Sequence, residues 1–187
     1  MRIISGSKRG MTLLGPKGSD TRPITDRVKE SLFSVLYKYD IIAGKTVADL
    51  FCGTGSMGLE ALSRRADKAI FIDNARTAID RLNHNIEKAS FVKESKVIRA
   101  NAFKIGTGGE PADLIFVDPP YIASRDVEKN SQMAKLLDLL SAQTTEGAIV
   151  VVRTHADVIL LEQYEKLTII DRRKWAAMAV AILQRTK

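Results

Sequence analysis

The chain has 187 residues, 45% hydrophobic and 27% charged, a composition that supports a full apolar core in one domain with at most a small attachment. It carries 29 Lys and Arg against 22 Asp and Glu, a formal charge of +7, which favours a polyanionic partner. One Cys and two His exclude a disulfide scaffold and the usual kind of zinc cluster, and no apolar run approaches the roughly 20 residues that cross a bilayer, so a reducing, cytoplasmic compartment without membrane contact is expected.

The charge is uneven. Residues 1–45 hold nine basic and four acidic side chains and so carry +5 of the +7. A basic arm on a nearly neutral body suggests that one part grips phosphates while the rest does something else. The arm reads as short strands at Ile3-Ile4 and Met11–Leu14, then a Gly/Pro-rich loop from Gly15 to Pro23. Thr25 is an N-cap candidate with Asp26 in the first turn, and Val28, Leu32, Val35, Leu36 and Tyr39 follow at helical spacing. Gly44 closes this unit, giving an extension over residues 1–44 and a second unit over 45–187.

From Lys45 strands and helices alternate. Val47–Phe51 is a buried-strand run, and Met57, Leu59, Ala61 and Leu62 mark a helix. Lys68–Asp73 is the second strand, with Asn74 expected to cap a helix through Ile79, Leu82 and Ile86. Lys96–Arg99 and Leu114–Val117 are further strands, Met133 to Leu140 a helix, and Ala148–Val152 a fifth strand. Tyr164–Ile170 and Ala177–Leu183 are too close together for a crossover helix and should pair antiparallel. Continuous apolar strands alternating with helices predict an α/β, Rossmann-like, mostly parallel sheet covered on both faces.

Two segments carry chemistry. Gly53-Thr54-Gly55-Ser56-Met57-Gly58 is a G-x-G-x-x-G turn between a strand and a helix, where glycines allow a tight turn and close approach to a ligand. Asp49 precedes it inside the strand end, where a carboxylate would repel a pyrophosphate and suit a cation; Asp73 ends the next strand, placed to accept from a ribose diol. This disfavours a dehydrogenase and suits S-adenosylmethionine, whose sulfonium and amino group are positively charged. Cys52 has no His near it in sequence and reads as a small residue rather than a nucleophile. His84 and His155 read as surface polar positions.

The second segment is Asp118-Pro119-Pro120-Tyr121 after the fourth strand. Two prolines stiffen the backbone and remove two N–H groups, so the Pro119 carbonyl becomes a fixed acceptor beside the Asp118 carboxylate, and Tyr121 offers an aromatic face. Two acceptors and a stacking plate suit an exocyclic amine on a flat base. An acceptor-only Asp matches the N1–H and 2-amino donors of guanine better than the mixed edge of adenine. An N6-adenine methylase and a non-catalytic RNA-binding module for ribosome assembly remain as alternatives.

The combination resembles the class I S-adenosylmethionine-dependent methyltransferases, and more narrowly the RsmD-type 16S rRNA (guanine-N2)-methyltransferases. The resemblance rests on Arg2-Ile3-Ile4-Ser5-Gly6 with Arg9-Gly10, on Thr21-Arg22-Pro23-Ile24-Thr25-Asp26-Arg27-Val28-Lys29-Glu30-Ser31-Leu32-Phe33, on Asp49–Gly55 with Gly58–Arg64, and on Asp118–Tyr121. It implies a seven-stranded sheet with one reversed strand, S-adenosylmethionine as cofactor, and a guanine of 16S rRNA in the small ribosomal subunit as target, with the chain expected to act as a monomer. It implies that Asp49, Phe51, Gly53 and Gly55 line the cofactor pocket, that Asp73 holds the ribose and Asn101 faces the adenine, and that Asn74 and Ala102 complete the pocket. Asp118, Pro119 and Tyr121 would handle the target base, and Lys8, Arg9, Arg22, Thr25 and Arg27 would contact RNA, the last three close to the active site. Two positions depart from the pattern: Asn101 stands where an acid is usual, and Lys174-Trp175-Ala176-Ala177 replaces a Tyr-Gly step.

Overall fold

The computed structural model describes residues 1–16 and 24–186. Five strands carry the parallel part of the sheet: β1 (Thr46–Leu50), β2 (Lys68–Asp73), β3 (Ser95–Arg99), β4 (Ala112–Val117) and β5 (Thr144–His155). They are joined through α2 (Ser56–Ser63), α3 (Arg76–Ala89), α4 (Ala102–Ile105) and α5 (Gln132–Gln143), and α1 (Asp26–Leu36) precedes them all. The chain ends in β6 (Gln163–Tyr164), β7 (Leu167–Trp175) and β8 (Met178–Arg185), which run antiparallel to their neighbours. The strand order is β3-β2-β1-β4-β5-β8-β7-β6. The order reverses between β1 and β4, so their carboxyl ends open the crevice where α/β sheets take ligands.

Alternate side chains of each strand feed two cores. Val47, Phe71, Leu114 and Val151 pack under α1, α2 and α3, while Ala48, Ile72, Ile115 and Val152 pack under α5. This double burial is why the parallel strands read as unbroken apolar runs. The arm joins the first core: Ile3 and Leu13 are buried in it.

Several expected boundaries differ. The arm's two strands reduce to an isolated antiparallel bridge, Arg2 to Thr12, extended by the Ile3–Met11 and Gly10–Ile3 hydrogen bonds. β1 stops at Leu50 because Phe51 turns to φ 58°. Asn74 does not cap α3; Ala75 holds that position without a side-chain cap, because the Asp73 carboxylate takes the Ala75 N–H. β5 follows α5 directly and runs three residues past Val152, since β8 pairs with it as far as His155. The run Tyr164–Ile170 is broken at Glu165 (φ 46°), and its first part becomes β6, an eighth strand at the edge. Leu13 and Leu14 belong to the arm's docking on α3 rather than to a strand: the Asn85 amide takes the Leu14 N–H at 2.8 Å and donates to the carbonyls of Leu14 and, at 2.9 Å, Thr54.

Candidate active site

Asp49 is the penultimate residue of β1 and shares the side of Val47, so it points beneath the start of α2. Its Oδ2 accepts the Gly58 N–H at 2.9 Å, and the residue is only 2% exposed. Gly58 also packs directly on Phe71, whose Cε1 a Cβ there would meet at 2.3 Å. Burial, reinforced by repulsion from Asp118 and Asp73, pushes the Asp49 carboxyl up to about 8 against the pull of the Gly58 N–H and Lys29. Asp73 is fixed from two sides, taking the Gly53 N–H on Oδ2 and the Ala75 N–H on Oδ1, both at 2.9 Å. Cys52 is buried in the same turn, and burial raises its thiol well above the ordinary range, so it forms a neutral wall.

Asp118 follows β4 and donates its N–H to the Leu50 carbonyl at 3.4 Å, which sets it beside the end of β1. Its Oδ1 lies 2.6 Å from Arg153 Nε on β5, with the two side chains 29% and 15% exposed. Burial raises the Asp118 carboxyl to about 6, and the Arg153 guanidinium holds it from rising further. Two residues along β5, on the same side of the pleat, His155 meets the Tyr121 ring edge-on with centroids 5.8 Å apart and an 88° interplanar angle. Asp157 anchors His155 through Nδ1 at 2.5 Å. The Pro120 carbonyl accepts from the Ala123 and Ser124 N–H groups, and Ser124 Oγ donates to the Tyr121 carbonyl, so the segment is braced on both flanks.

These groups face one cavity of about 520 Å³. Asp49, Phe51, Gly53, Asp73, Asn74, Asp118, Pro119 and Tyr121 line it together. Met1, Pro16 and Ile24 of the N-terminal region and Thr77, Ala78 and Arg81 of α3 supply a further wall. Gly55 lies behind the turn, packed against Leu82 and Phe71. Asn101 spends its Oδ1 on the Phe103 N–H as the cap of α4, and neither it nor the buried Ala102 reaches the cavity wall. Phe51 packs instead on Phe103 at 4.7 Å.

The predicted RNA contacts divide. Thr25 caps α1 through the Val28 N–H, with the exposed Arg27 two residues on, next to the cavity-lining Ile24. Lys8 donates its N–H to Ser63 Oγ at the far end of α2, its Nζ lies 5.7 Å over the Phe91 ring beyond α3, and Arg9 beside it is exposed. The cavity lies at the opposite ends of both helices, so Lys8 and Arg9 stand away from it. Arg22 lies outside the described residues.

Sequence reading missed Arg153 and the role of His155. The available signal was their i, i+2 spacing just past the buried run Ala148–Val152. It also missed a buried hub beneath the turn, where Lys29 Nζ donates to the Arg2 carbonyl at 2.6 Å and to Ser56 Oγ at 3.1 Å.

The family model described as Conserved hypothetical protein 95 matches residues 1–184. The chain is 32% identical over 191 residues to the Bacillus subtilis (strain 168) protein named "Putative rRNA methyltransferase YlbH", covering 99% of each. It is 38% identical over 122 residues to ribosomal RNA small subunit methyltransferase D of Escherichia coli (strain K12), a match spanning 65% of this chain and 60% of that one. A solved structure titled "Putative methyltransferase yhhF from Escherichia coli" superposes with TM-score 0.83 and 29% identity over 100% of this chain and 98% of that one.

Proposed function

The chain belongs to the Conserved hypothetical protein 95 family and has the α/β methyltransferase fold, and we propose that it transfers a methyl group from S-adenosylmethionine to the exocyclic 2-amino group of a guanine in 16S rRNA within the small ribosomal subunit. The observation that carries this reading is the shared cavity: the glycine turn with Asp49 and Asp73 on one wall, Asp118-Pro119-Pro120-Tyr121 on another.

The residues fit that cofactor. Three acidic residues, Asp49, Asp73 and Asp118, border the cavity, and Arg153 pairs with Asp118, so Asp49 and Asp73 are the ones that face the ligand without a paired arginine among the described residues. Asp49, buried and resistant to ionisation by itself, gains most from a cationic neighbour. Asp73 keeps acceptor capacity for a diol after taking two N–H bonds. When bound, S-adenosylmethionine supplies an activated methyl group on a positively charged sulfur.

The protein's own part is to present the nitrogen. The guanine is turned out of its stack into the cavity, where its edge can be read. Tyr121, held edge-on by His155, stacks on the ring. Asp118 and the Pro119 carbonyl accept from the amine and favour pyramidal geometry, freeing the lone pair from conjugation. Once the carbon–nitrogen bond has formed, the nitrogen sheds one proton, and Asp118 is the acceptor at hand. Orientation in a closed, desolvated corner supplies much of the rate.

The test is incubation of the purified protein with labelled S-adenosylmethionine and small subunits lacking the modification, followed by nucleoside mass analysis and mapping of the label. N2-methylguanosine at one position is the expected product. N6-methyladenosine, or cofactor binding without any label transfer, overturns the assignment.

A further inference from the structure

We propose that Arg153 is a specificity-determining residue, which with Asp118 and the Pro119 carbonyl forms a cytosine-like edge that selects guanine. The inference rests on the guanine reading above and extends it to how the base is told apart from others.

The pairing edge of guanine offers an acceptor at O6, then donors at N1 and at the 2-amino group. Cytosine answers with donor, acceptor, acceptor. Three residues of the cavity wall, Arg153, Asp118 and Pro119, carry the same three kinds of group: a guanidinium donor, a carboxylate acceptor and a backbone carbonyl acceptor. The 2.6 Å contact between Arg153 Nε and Asp118 Oδ1 ties the donor to the first acceptor. A guanidinium carries five N–H groups in one plane and can serve a carboxylate and a carbonyl oxygen at once. A carboxylate likewise has about four lone-pair sites, so Asp118 can take the Arg153 N–H and still accept from N1–H.

Placement on β5 makes the pair rigid. Arg153 sits in the β5–β8 ladder opposite Val180, and Val152 before it is fully buried. Asp118 is set by the end of β4. Neither group belongs to a freely moving loop, so the donor and acceptor keep their relation before the base arrives, as a selective site requires. Adenine would set its 6-amino donors against the guanidinium and its N1 acceptor against the carboxylate, leaving buried polar groups unpaired on both sides. Arg153 also favours the ionised Asp118, whose two oxygens both accept.

The experiment uses small subunits reconstituted with rRNA in which the mapped target guanosine is either unchanged or replaced by 6-thioguanosine. Sulfur at position 6 is a poor acceptor, while N1–H and the 2-amino group are kept. Wild type should methylate guanosine on the order of 10-fold or more faster than 6-thioguanosine at subsaturating substrate, the scale of a lost specific base contact. Arg153→Met should lower turnover of guanosine by at least about tenfold and accept the two bases within about twofold of each other. Arg153→Lys, which keeps a charged donor, should recover part of the preference. Calorimetric binding of S-adenosylhomocysteine at the wild-type level confirms that each variant has kept its cofactor site. An unchanged preference in Arg153→Met, or no preference in wild type, overturns the role of Arg153 while leaving guanine methylation standing. Absence of N2-methylguanosine with wild type overturns both.

Discussion

Lys29 Nζ lies 3.6 Å from Glu60 Oε2, and neither side chain reaches solvent. Glu60 also accepts the Ile4 N–H at 2.7 Å, the Ser5 N–H at 3.0 Å and Arg64 Nε at 2.8 Å. One carboxylate on α2 thus holds the N-terminal arm, while Lys29 on α1 reaches Ser56 at the first residue of α2, next to the turn that borders the cavity. Burial lowers the Lys29 pKa, with Glu60 opposing that shift. Removing Glu60 strands the Lys29 ammonium away from water, whereas removing Lys29 leaves Glu60 held by Arg64 and two backbone N–H groups.

Glu60→Gln should therefore cost about 3–5 kcal/mol, and Lys29→Met less. The double variant should cost less than the sum of the two, because without Lys29 the loss of Glu60 no longer strands a buried ammonium. Urea unfolding of the four proteins measures this. Additive losses would mean that the two groups stabilise the fold independently.

The contrast between this hub and the sheet explains what could be read from sequence. β1, β2 and β4 are buried on both faces, so Val47, Ile70 and Leu114 lie in largely apolar runs, and their order with the glycine turn gives the crevice. Lys29 and Glu60 occupy helix positions that look solvated. Their burial comes from the arm that folds over them, which local pattern cannot show. Arg153 was hidden for a similar reason: β5 leaves the apolar core after Val152, and only pairing with β8 carries it on to His155. Asn101 was ambiguous because its side chain could serve a ligand or the start of a four-residue helix, and in the structure its Oδ1 caps α4.

Asp49 should report cofactor binding through a proton. With its carboxyl at about 8 it is largely protonated at pH 7, and a cationic ligand beside it favours ionisation. Binding of S-adenosylmethionine at pH 7 should release more protons with wild type than with Asp49→Asn, up to about one proton per site. Calorimetry in buffers of different ionisation enthalpy gives the difference directly. Equal proton counts for the two proteins would remove Asp49 from the ligand's charge balance.

Asp118 gives a second, lower titration. Its acceptor role needs the carboxylate, so kcat/KM, which follows the titration of the unliganded protein, should fall as pH drops through about 6. Asp118→Asn should lose most turnover at every pH while binding S-adenosylhomocysteine normally. The sign for stability is opposite. A carboxyl raised above its unfolded value, about 3.9, contributes stability that is present below that value and lost as pH rises through about 6. The stability of wild type relative to Asp118→Asn should thus decline from pH 4 to pH 7, a comparison that cancels the other titrating groups.

Gly58 tests whether the turn is held by packing. Gly58→Ala drives a Cβ into the fully buried Phe71 ring, and overpacking of this kind costs about 1–3 kcal/mol. The shift also moves the Gly58 N–H that Asp49 accepts, so cofactor affinity should drop with stability. Phe71→Leu in the same chain opens room for the methyl and should restore both in part. A stable Gly58→Ala protein with weak cofactor binding and no response to Phe71→Leu would place the fault elsewhere.

The arm should hold RNA at two separated points. Arg27 lies in the first turn of α1 near the cavity, whereas Lys8 and Arg9 stand past the far ends of α2 and α3. α3 has 14 residues and so spans about 21 Å, a distance that several nucleotides of a bound strand would cover. Replacing Lys8 and Arg9 with Ala should raise KM for small subunits and lower the slope of log affinity against log salt by about one to two, with kcat unchanged. Arg27→Ala should lower kcat as well, because a phosphate held there would lie near the cavity that takes the target base. An unchanged salt slope for the Lys8 and Arg9 variant would confine RNA contact to the cavity end of the molecule.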